Sequence, residues 1–132
     1  MQKEIVTAYI DAINTRDLDT MRNLMSEDHE FVDAGGSSYT GREKILKGWP
    51  SYYEMFPDYL IEISDSIEKE ELIAVFGYAS ATYMNLKNPE NSNFWRIPAA
   101  WKAIVRNNQL VYWQVFCDYT PIHEIINRNN SS

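Results

Sequence analysis

Apolar residues recur every three to four positions up to Phe56 and every second position through most of the remaining chain. Ile5, Ala8, Tyr9, Ala12 and Ile13 share one helical face. Asn14-Thr15-Arg16-Asp17 interrupts that helix, and Asp17 is a suitable N-cap for a second one. Leu18, Met21, Leu24 and Met25 form its apolar face. Ser26-Glu27-Asp28 ends it. His29 to Asp33 reads as a short strand closed by Gly35-Gly36. Thr40-Gly41-Arg42-Glu43 has the spacing of a capping box, with Thr40 and Glu43 capping each other's amides. The third helix, starting there, carries Ile45, Leu46, Trp49, Tyr52, Tyr53 and Phe56, and Pro50 predicts a kink or a break within it.

Past Pro57 the period changes. Tyr59–Ile63 reads as a strand, and Glu68-Lys69-Glu70-Glu71 as a turn. Leu72–Leu86 and Phe94–Val105 read as long strands, with a polar loop over Lys87–Asn93 between them. Arg106-Asn107-Asn108-Gln109 is a hairpin turn, because asparagine tolerates the positive φ that such turns need. Leu110–Tyr119 is the last strand, and Pro121–Asn127 reads as a short terminal helix. The expected organisation is a single domain over 1–127 with a disordered tail, 128–132. Helices first and a meander of antiparallel strands afterwards is an α+β plan, with helices on one face of a sheet.

Composition narrows the class. At 132 residues and 45% hydrophobic, 14% aromatic, the chain has material for one real core. One cysteine, Cys117, excludes an internal disulfide and a cysteine-cluster metal site. A formal charge of −7 with scattered Lys and Arg argues against nucleic acid as a partner. No apolar run approaches a membrane span, and the acid-bearing N-terminus is unlike a signal peptide. The expectation is a cytoplasmic protein with neither membrane nor nucleic-acid partners.

The residues that offer chemistry are few. Asp33 ends a strand before a Gly-Gly turn. It suits a functional acid and equally a plain turn cap. Asp118 ends the last strand. Strict alternation puts it opposite Trp113, Val115 and Cys117, so only a bulge near Cys117 would bring it to their side. Otherwise it is a rim or dimer-face acid. Trp49, Tyr53 and Phe56 on the third helix face Trp101, Trp113 and Cys117 on the strands. They would either form a flat slot for a ring-shaped ligand or fill the interior. Gly77, Ala79, Ala81, Ala99 and Ala103 would leave room above the sheet. His29, beside Asp28, reads as a surface residue. His123 would be solvated or cover a pocket mouth. Two distant histidines give no metal site, no nucleophile or phosphate-loop motif is visible, and no cofactor is expected.

Four stretches carry a resemblance: YIDAINTRDLDTMRNLMSED, YTGREKI, MFPDYLIEI and NNQLVYWQVFCDYTP. Together they resemble the SnoaL-like and ketosteroid isomerase-like branch of the nuclear transport factor two-like superfamily, over nearly the whole chain. The resemblance implies a cystatin-like α+β roll, a cone-shaped curved antiparallel sheet wrapped on N-terminal helices. It also implies a deep apolar pocket and a homodimer packed through the sheet. Ketosteroid isomerases use an Asp base with a Tyr and a protonated Asp as oxyanion hole. Aligned without a gap through the opening hairpin, the Tyr falls on Tyr9 and the base on Asp33. The protonated Asp falls near Trp101, whose indole offers one N–H donor. The catalytic acid of SnoaL-like cyclases resembles Asp118. The Asp-Arg-Asp set of the related epoxide hydrolases is not reproduced, since Arg96 is followed two residues later by Pro98.

Three functions stay open at this level. The first is a cofactor-independent isomerase, cyclase or dehydratase with Asp33 or Asp118 as base, Tyr9 as oxyanion donor and a hydrophobic cyclic substrate. The second is a non-catalytic module binding an apolar ligand. The third is a dimerisation module with a filled interior. A cavity, and a carboxylate facing it, separate them.

Overall fold

The computed structural model describes residues 2–84 and 93–130. The helices are α1 (Gln2–Thr15), α2 (Leu18–Leu24), α3 (Arg42–Leu46), α4 (Trp49–Met55) and α5 (Thr120–Asn130). The strands are β1 (Met25–Val32), β2 (Ser38–Thr40), β3 (Leu60–Lys69), β4 (Leu72–Thr82), β5 (Phe94–Arg106) and β6 (Gln109–Cys117). The six strands form one curved, open sheet in the order β2-β1-β6-β5-β4-β3. The sheet is not wholly antiparallel as expected: β1 runs parallel to β6, pairing Phe31 with Trp113 and Val32 with Gln114. The long path from β1 through α3 and α4 makes that crossover feasible.

The opening hairpin is fixed at its corner. Arg16 adopts φ 59°, and the Asp17 amide reaches back to the Ala12 carbonyl at 2.9 Å, a left-handed helix stop. Asp17 then caps α2 through the Thr20 amide. The Arg16 guanidinium donates to the carbonyls of Asn14, Tyr59 and Pro57, tying the corner to the start of β3. Asn14 exchanges two hydrogen bonds with the backbone of Ile61, so a side chain covers part of the free edge of β3.

Several sequence expectations need correction. Pro50 does break the third helix, into α3 and α4. The capping box does not form. Thr40 is held in β2 opposite Glu30, Gly41 takes the N-cap position at φ 112°, and the Glu43 carboxylate goes to Arg22 and Arg42. β3 runs on to Lys69, and the turn tightens to Glu70, at φ 56°, and Glu71. β4 ends at Thr82. The rest of the expected strand and loop, 85–92, lies outside the described residues, as do 131–132. Residues 128–130 belong to α5, and Asn129 is buried, exchanging hydrogen bonds with Asn93. The Asn107-Asn108 turn has positive φ at both residues, 55° and 63°. His29 is not on the surface. It is fully buried, with Nδ1 2.8 Å from the Leu110 carbonyl.

Alternation sorts the two sheet faces. On β5 the odd positions from Trp95 to Val105 are buried beneath the helices, and the even positions face outward. Gly77 serves β3 rather than any cavity. A Cβ there would lie 1.8 Å from the Glu62 carbonyl oxygen, opposite the irregularity between Ile63 and Asp65.

Candidate functional site

Toward the β1–β6 end of the concave face the helices stand away from the sheet and leave a cavity of about 800 Å³. Its sheet wall is indole. Trp101 and Trp113 lie with ring centroids 6.4 Å apart at 22°, and Tyr9 of α1 meets Trp113 edge-on at 5.2 Å. Ile45 of α3 and Trp49 of α4 face them across the space. Trp113, Val115 and Cys117 all line it, as period two along β6 requires.

Asp33 stands on the rim, half-buried. Its Oδ1 accepts from the amides of Gly35 at 3.0 Å and Ser37 at 2.9 Å, and Tyr39 donates to Oδ2 at 3.3 Å. Gly36, at φ 90°, lets the chain turn back under the carboxylate. One oxygen therefore organises the 33–37 turn, while the other accepts a single, long hydrogen bond.

Asp118 also reaches the rim, but its Oδ1 accepts from the Thr120 amide at 3.0 Å and caps α5. Hydrogen bonding to Thr120 holds its carboxyl below the ordinary carboxylate range. The β5–β6 register runs unbroken from Ala99–Cys117 to Ile104–Tyr112, so the bulge that would turn Asp118 toward the Trp113 side is not there.

Tyr9 is 1% exposed and touches the cavity. Burial, with Tyr53 adding to it, lifts its hydroxyl well above the ordinary phenol range, and hydrogen bonding with Trp49 opposes this. A phenol kept neutral in this way is a ready donor to a ligand oxygen.

Two expected wall residues lie outside the cavity lining. The Tyr53 hydroxyl donates to the Ile13 carbonyl at 2.8 Å, and its ring stacks behind Trp49 at 5.1 Å with the Arg16 guanidinium over it. Burial pushes Tyr53 up to about 12, against the Arg16 charge. Phe56 is fully buried and meets Trp95 edge-on at 5.5 Å, in the packed part of the interior. Nor do Gly77, Ala79, Ala81, Ala99 or Ala103 border the cavity.

Four lining phenols went unnoticed in the sequence: Tyr39, Tyr52, Tyr59 and Tyr119. Tyr52 interacts with the hydroxyls of both Tyr119 and Tyr59, and burial is the largest influence raising all three. The signals were present. Tyr119 continues the 113–115–117 alternation by one step, Tyr59 precedes the buried Ile61 by two, and Tyr52 lies one turn beyond Trp49. His123 of α5 joins the lining, its ring 4.9 Å from Tyr119. Burial, and Asp118 nearby, raise the Cys117 thiol, so it stays protonated. Among the described residues no cluster of three His, Cys, Asp or Glu could hold a metal ion.

A curved, open sheet over N-terminal helices is the ketosteroid isomerase-like fold. The chain belongs to the SnoaL-like domain family, which matches residues 6–113. IdmH of Streptomyces antibioticus, a candidate polyketide cyclase, is similar in fold, with TM-score 0.81, 20% identity, and coverage of 96% of this chain and 99% of that one. A candidate SnoaL-like polyketide cyclase of Shewanella denitrificans OS-217 gives TM-score 0.80 at 16% identity, covering 96% and 97%. A Catenulispora acidiphila protein with a ketosteroid isomerase-like fold, solved with trimethylamine, gives 0.75 at 21% identity, covering 90% and 88%. No curated protein matches the sequence. No helix among the described residues is long and apolar enough to cross a membrane.

Proposed function

We propose that this chain is a small-molecule enzyme working by general acid/base chemistry, without a cofactor, on a hydrophobic cyclic substrate. The reaction class is isomerisation, aldol-type cyclisation or dehydration at a carbon next to a carbonyl. The observation that carries the reading is the Asp33 carboxylate on the rim of an indole-walled cavity whose phenols are held neutral. Asp33 would take the carbon-bound proton through Oδ2, the oxygen not committed to loop amides. The electrons of the broken C–H bond move onto the carbonyl oxygen, where a neutral phenol, Tyr9 in the family alignment, donates to the oxyanion. Asp33 then returns the proton to carbon in an isomerisation, to the alkoxide left when the enolate carbon attacks a second carbonyl in a cyclisation, or to the departing hydroxyl in a dehydration. Asp118 is left as a helix cap.

One observation favours the second reading, a binding module: the Asp33 Oδ1 is fully occupied in shaping its own turn. Proton exchange decides between them. With 2-tetralone in D2O, followed by proton NMR, the protein should accelerate deuterium uptake next to the carbonyl. Asp33→Asn should lose roughly 10²- to 10⁴-fold of that rate while still binding the ketone. Binding without exchange would support the module. Undiminished exchange in Asp33→Asn would place the base elsewhere.

The proposal extends to the assembly. Phe76, Tyr78, Phe94 and Phe116 are 40%, 37%, 51% and 49% exposed on the outer sheet face, in an apolar area flanked by the Arg96–Glu62 ion pair. A second copy of the chain would cover it, and sedimentation at micromolar concentration checks this. The lone, half-buried cysteine suits a reducing compartment, and we place the protein in the cytoplasm, which cell fractionation tests.

A further inference from the structure

The phenol in contact with the Asp33 carboxylate stands at the exposed edge of the sheet. Tyr39 is the middle residue of β2, the edge strand, and its hydroxyl donates to Oδ2 of Asp33 at 3.3 Å. Strand pairing puts it there. Phe31 of β1 pairs with Tyr39 on one side and with Trp113 on the other, so the three rings form a row across β2, β1 and β6. Asp33 follows Phe31 by two residues, and all four residues border the cavity. The row runs from solvent to core, since Tyr39 is 40% exposed and Trp113 only 2%. The Tyr39 ring stacks on Phe31, with centroids 6.0 Å apart at 22°. That stack holds the ring at the rim with its hydroxyl on Asp33.

A count of lone pairs shows what the contact does. A carboxylate offers about four acceptor sites, two on each oxygen. Oδ1 accepts from the amides of Gly35 and Ser37, and Oδ2 accepts from Tyr39. Among the described residues no other group donates to this carboxylate, so one site on Oδ2 stays open. The two amides belong to the turn that Asp33 itself organises, and they fix one oxygen. Tyr39 comes from another strand and fixes the second, which sets the tilt of the carboxylate plane. The neighbouring hydroxyl of β2 takes no part. Ser38 donates to Glu30 at 2.6 Å and does not line the cavity.

We propose that Tyr39 is the positioning residue of the Asp33 base, holding Oδ2 so that its one open site meets the carbon-bound proton of the substrate. The assignment rests on Asp33 as the base. In the step itself the C–H bond breaks, an O–H bond forms at the open site of Oδ2, and the C–H electron pair moves toward the carbonyl oxygen. Tyr39 keeps its own proton, because it donates to the other site of Oδ2 before and after the transfer. Its ring is the outermost plate of the aromatic row and stays on Phe31 when the hydroxyl is removed.

The test compares Tyr39→Phe with Ser38→Ala, which removes a hydroxyl–carboxylate bond from the same strand but not from the base. Deuterium uptake by 2-tetralone is followed by proton NMR over a range of ketone concentrations. Tyr39→Phe should lower the saturated rate about tenfold and leave the half-saturating concentration within about twofold, because direction is lost and the ring is kept. Tyr39→Ala, which removes the ring too, should also raise the half-saturating concentration. Ser38→Ala should exchange at the parent's rate. The 13C carboxyl signal of Asp33, assigned by its absence from Asp33→Asn, should move in Tyr39→Phe and stay in place in Ser38→Ala. If Asp33→Asn loses exchange but Tyr39→Phe keeps the parent's rate, or Ser38→Ala slows exchange as much as Tyr39→Phe, the positioning role is overturned and the base survives. A carboxyl signal unmoved by Tyr39→Phe overturns the role as well. Exchange undiminished in Asp33→Asn, or absent from the parent, overturns the base, and the role of Tyr39 with it. Melting curves for each variant confirm that the fold is retained.

Discussion

One end of the concave face is filled and the other is open. At the filled end, Ala79 and Ala81 of β4 and Ala99 of β5 belong to one packed core with Phe56 and Trp95, and each is less than 10% exposed. At the open end, Trp101 and Trp113 stand under Trp49 and Ile45 with about 800 Å³ between them. The sequence suggests the reverse, since small residues look like room. Small residues let covering elements approach, and interiors close to crystal-like density wherever they can. Wide rings held upright by their neighbours keep the walls apart. Tyr9 edge-on to Trp113 and Trp49 stacked on Tyr53 provide that support.

The largest effect should come from breaking the filled end. Phe56→Ala should lose ~3–5 kcal/mol of stability, by urea unfolding at unchanged m-value, because it leaves a hole among packed rings. Phe31→Ala, on the cavity side, should cost less than half of that, since Phe31 already borders empty space. Equal losses would erase the distinction between the two ends.

Gly77→Ala comes next. The added Cβ would meet the Glu62 backbone at 1.8 Å, so β3 must shift, at a cost of ~1–3 kcal/mol. Activity should be retained, because β3 is displaced away from Asp33.

His29 sharpens the comparison through pH. Burial holds its pKa below the ordinary 6.5, against the Leu110 hydrogen bond and the Asp28 and Glu30 charges. The folded state therefore binds the proton less readily than the unfolded chain. Stability is complete above 6.5 and falls as pH drops from there toward the depressed folded value. His29→Gln should flatten that slope in thermal melts taken across this window. A slope unchanged by the substitution would assign the acid sensitivity to another group.

Asp118→Asn should have the smallest effect. An Asn at a helix start can still cap, so proton exchange on 2-tetralone should stay within about twofold of the parent. A loss comparable to that of Asp33→Asn would give Asp118 the role assigned here to Asp33.

Periodicity made the element order, the Pro50 break and the Asn107-Asn108 turn legible, because each depends on nearby residues. Resemblance supplied the roll. The parallel β1–β6 pairing and the burial of His29 were not legible, since both depend on which strand closes the sheet. Thr40 misled because strand pairing with Glu30 outcompetes a local cap. At the site, Asp33 and Tyr9 were reachable from the sequence. Tyr53 and Phe56 keep the helical spacing from Trp49, but Tyr53 stacks on Trp49 and Phe56 packs on Trp95, tertiary contacts that periodicity does not order. Tyr119 was missed although it lay within the expected strand, because the 113–115–117 alternation was not carried one step further to it.

The most direct test is a titration of 15N-labelled protein with 2-tetralone, followed by amide chemical shifts. Shifts should gather at 33–37, 48–52 and 113–119 and spare 73–81 and 95–99. Perturbations centred on β4 and Trp95, or none at ligand saturation of solubility, would contradict an open aromatic cavity beside Asp33.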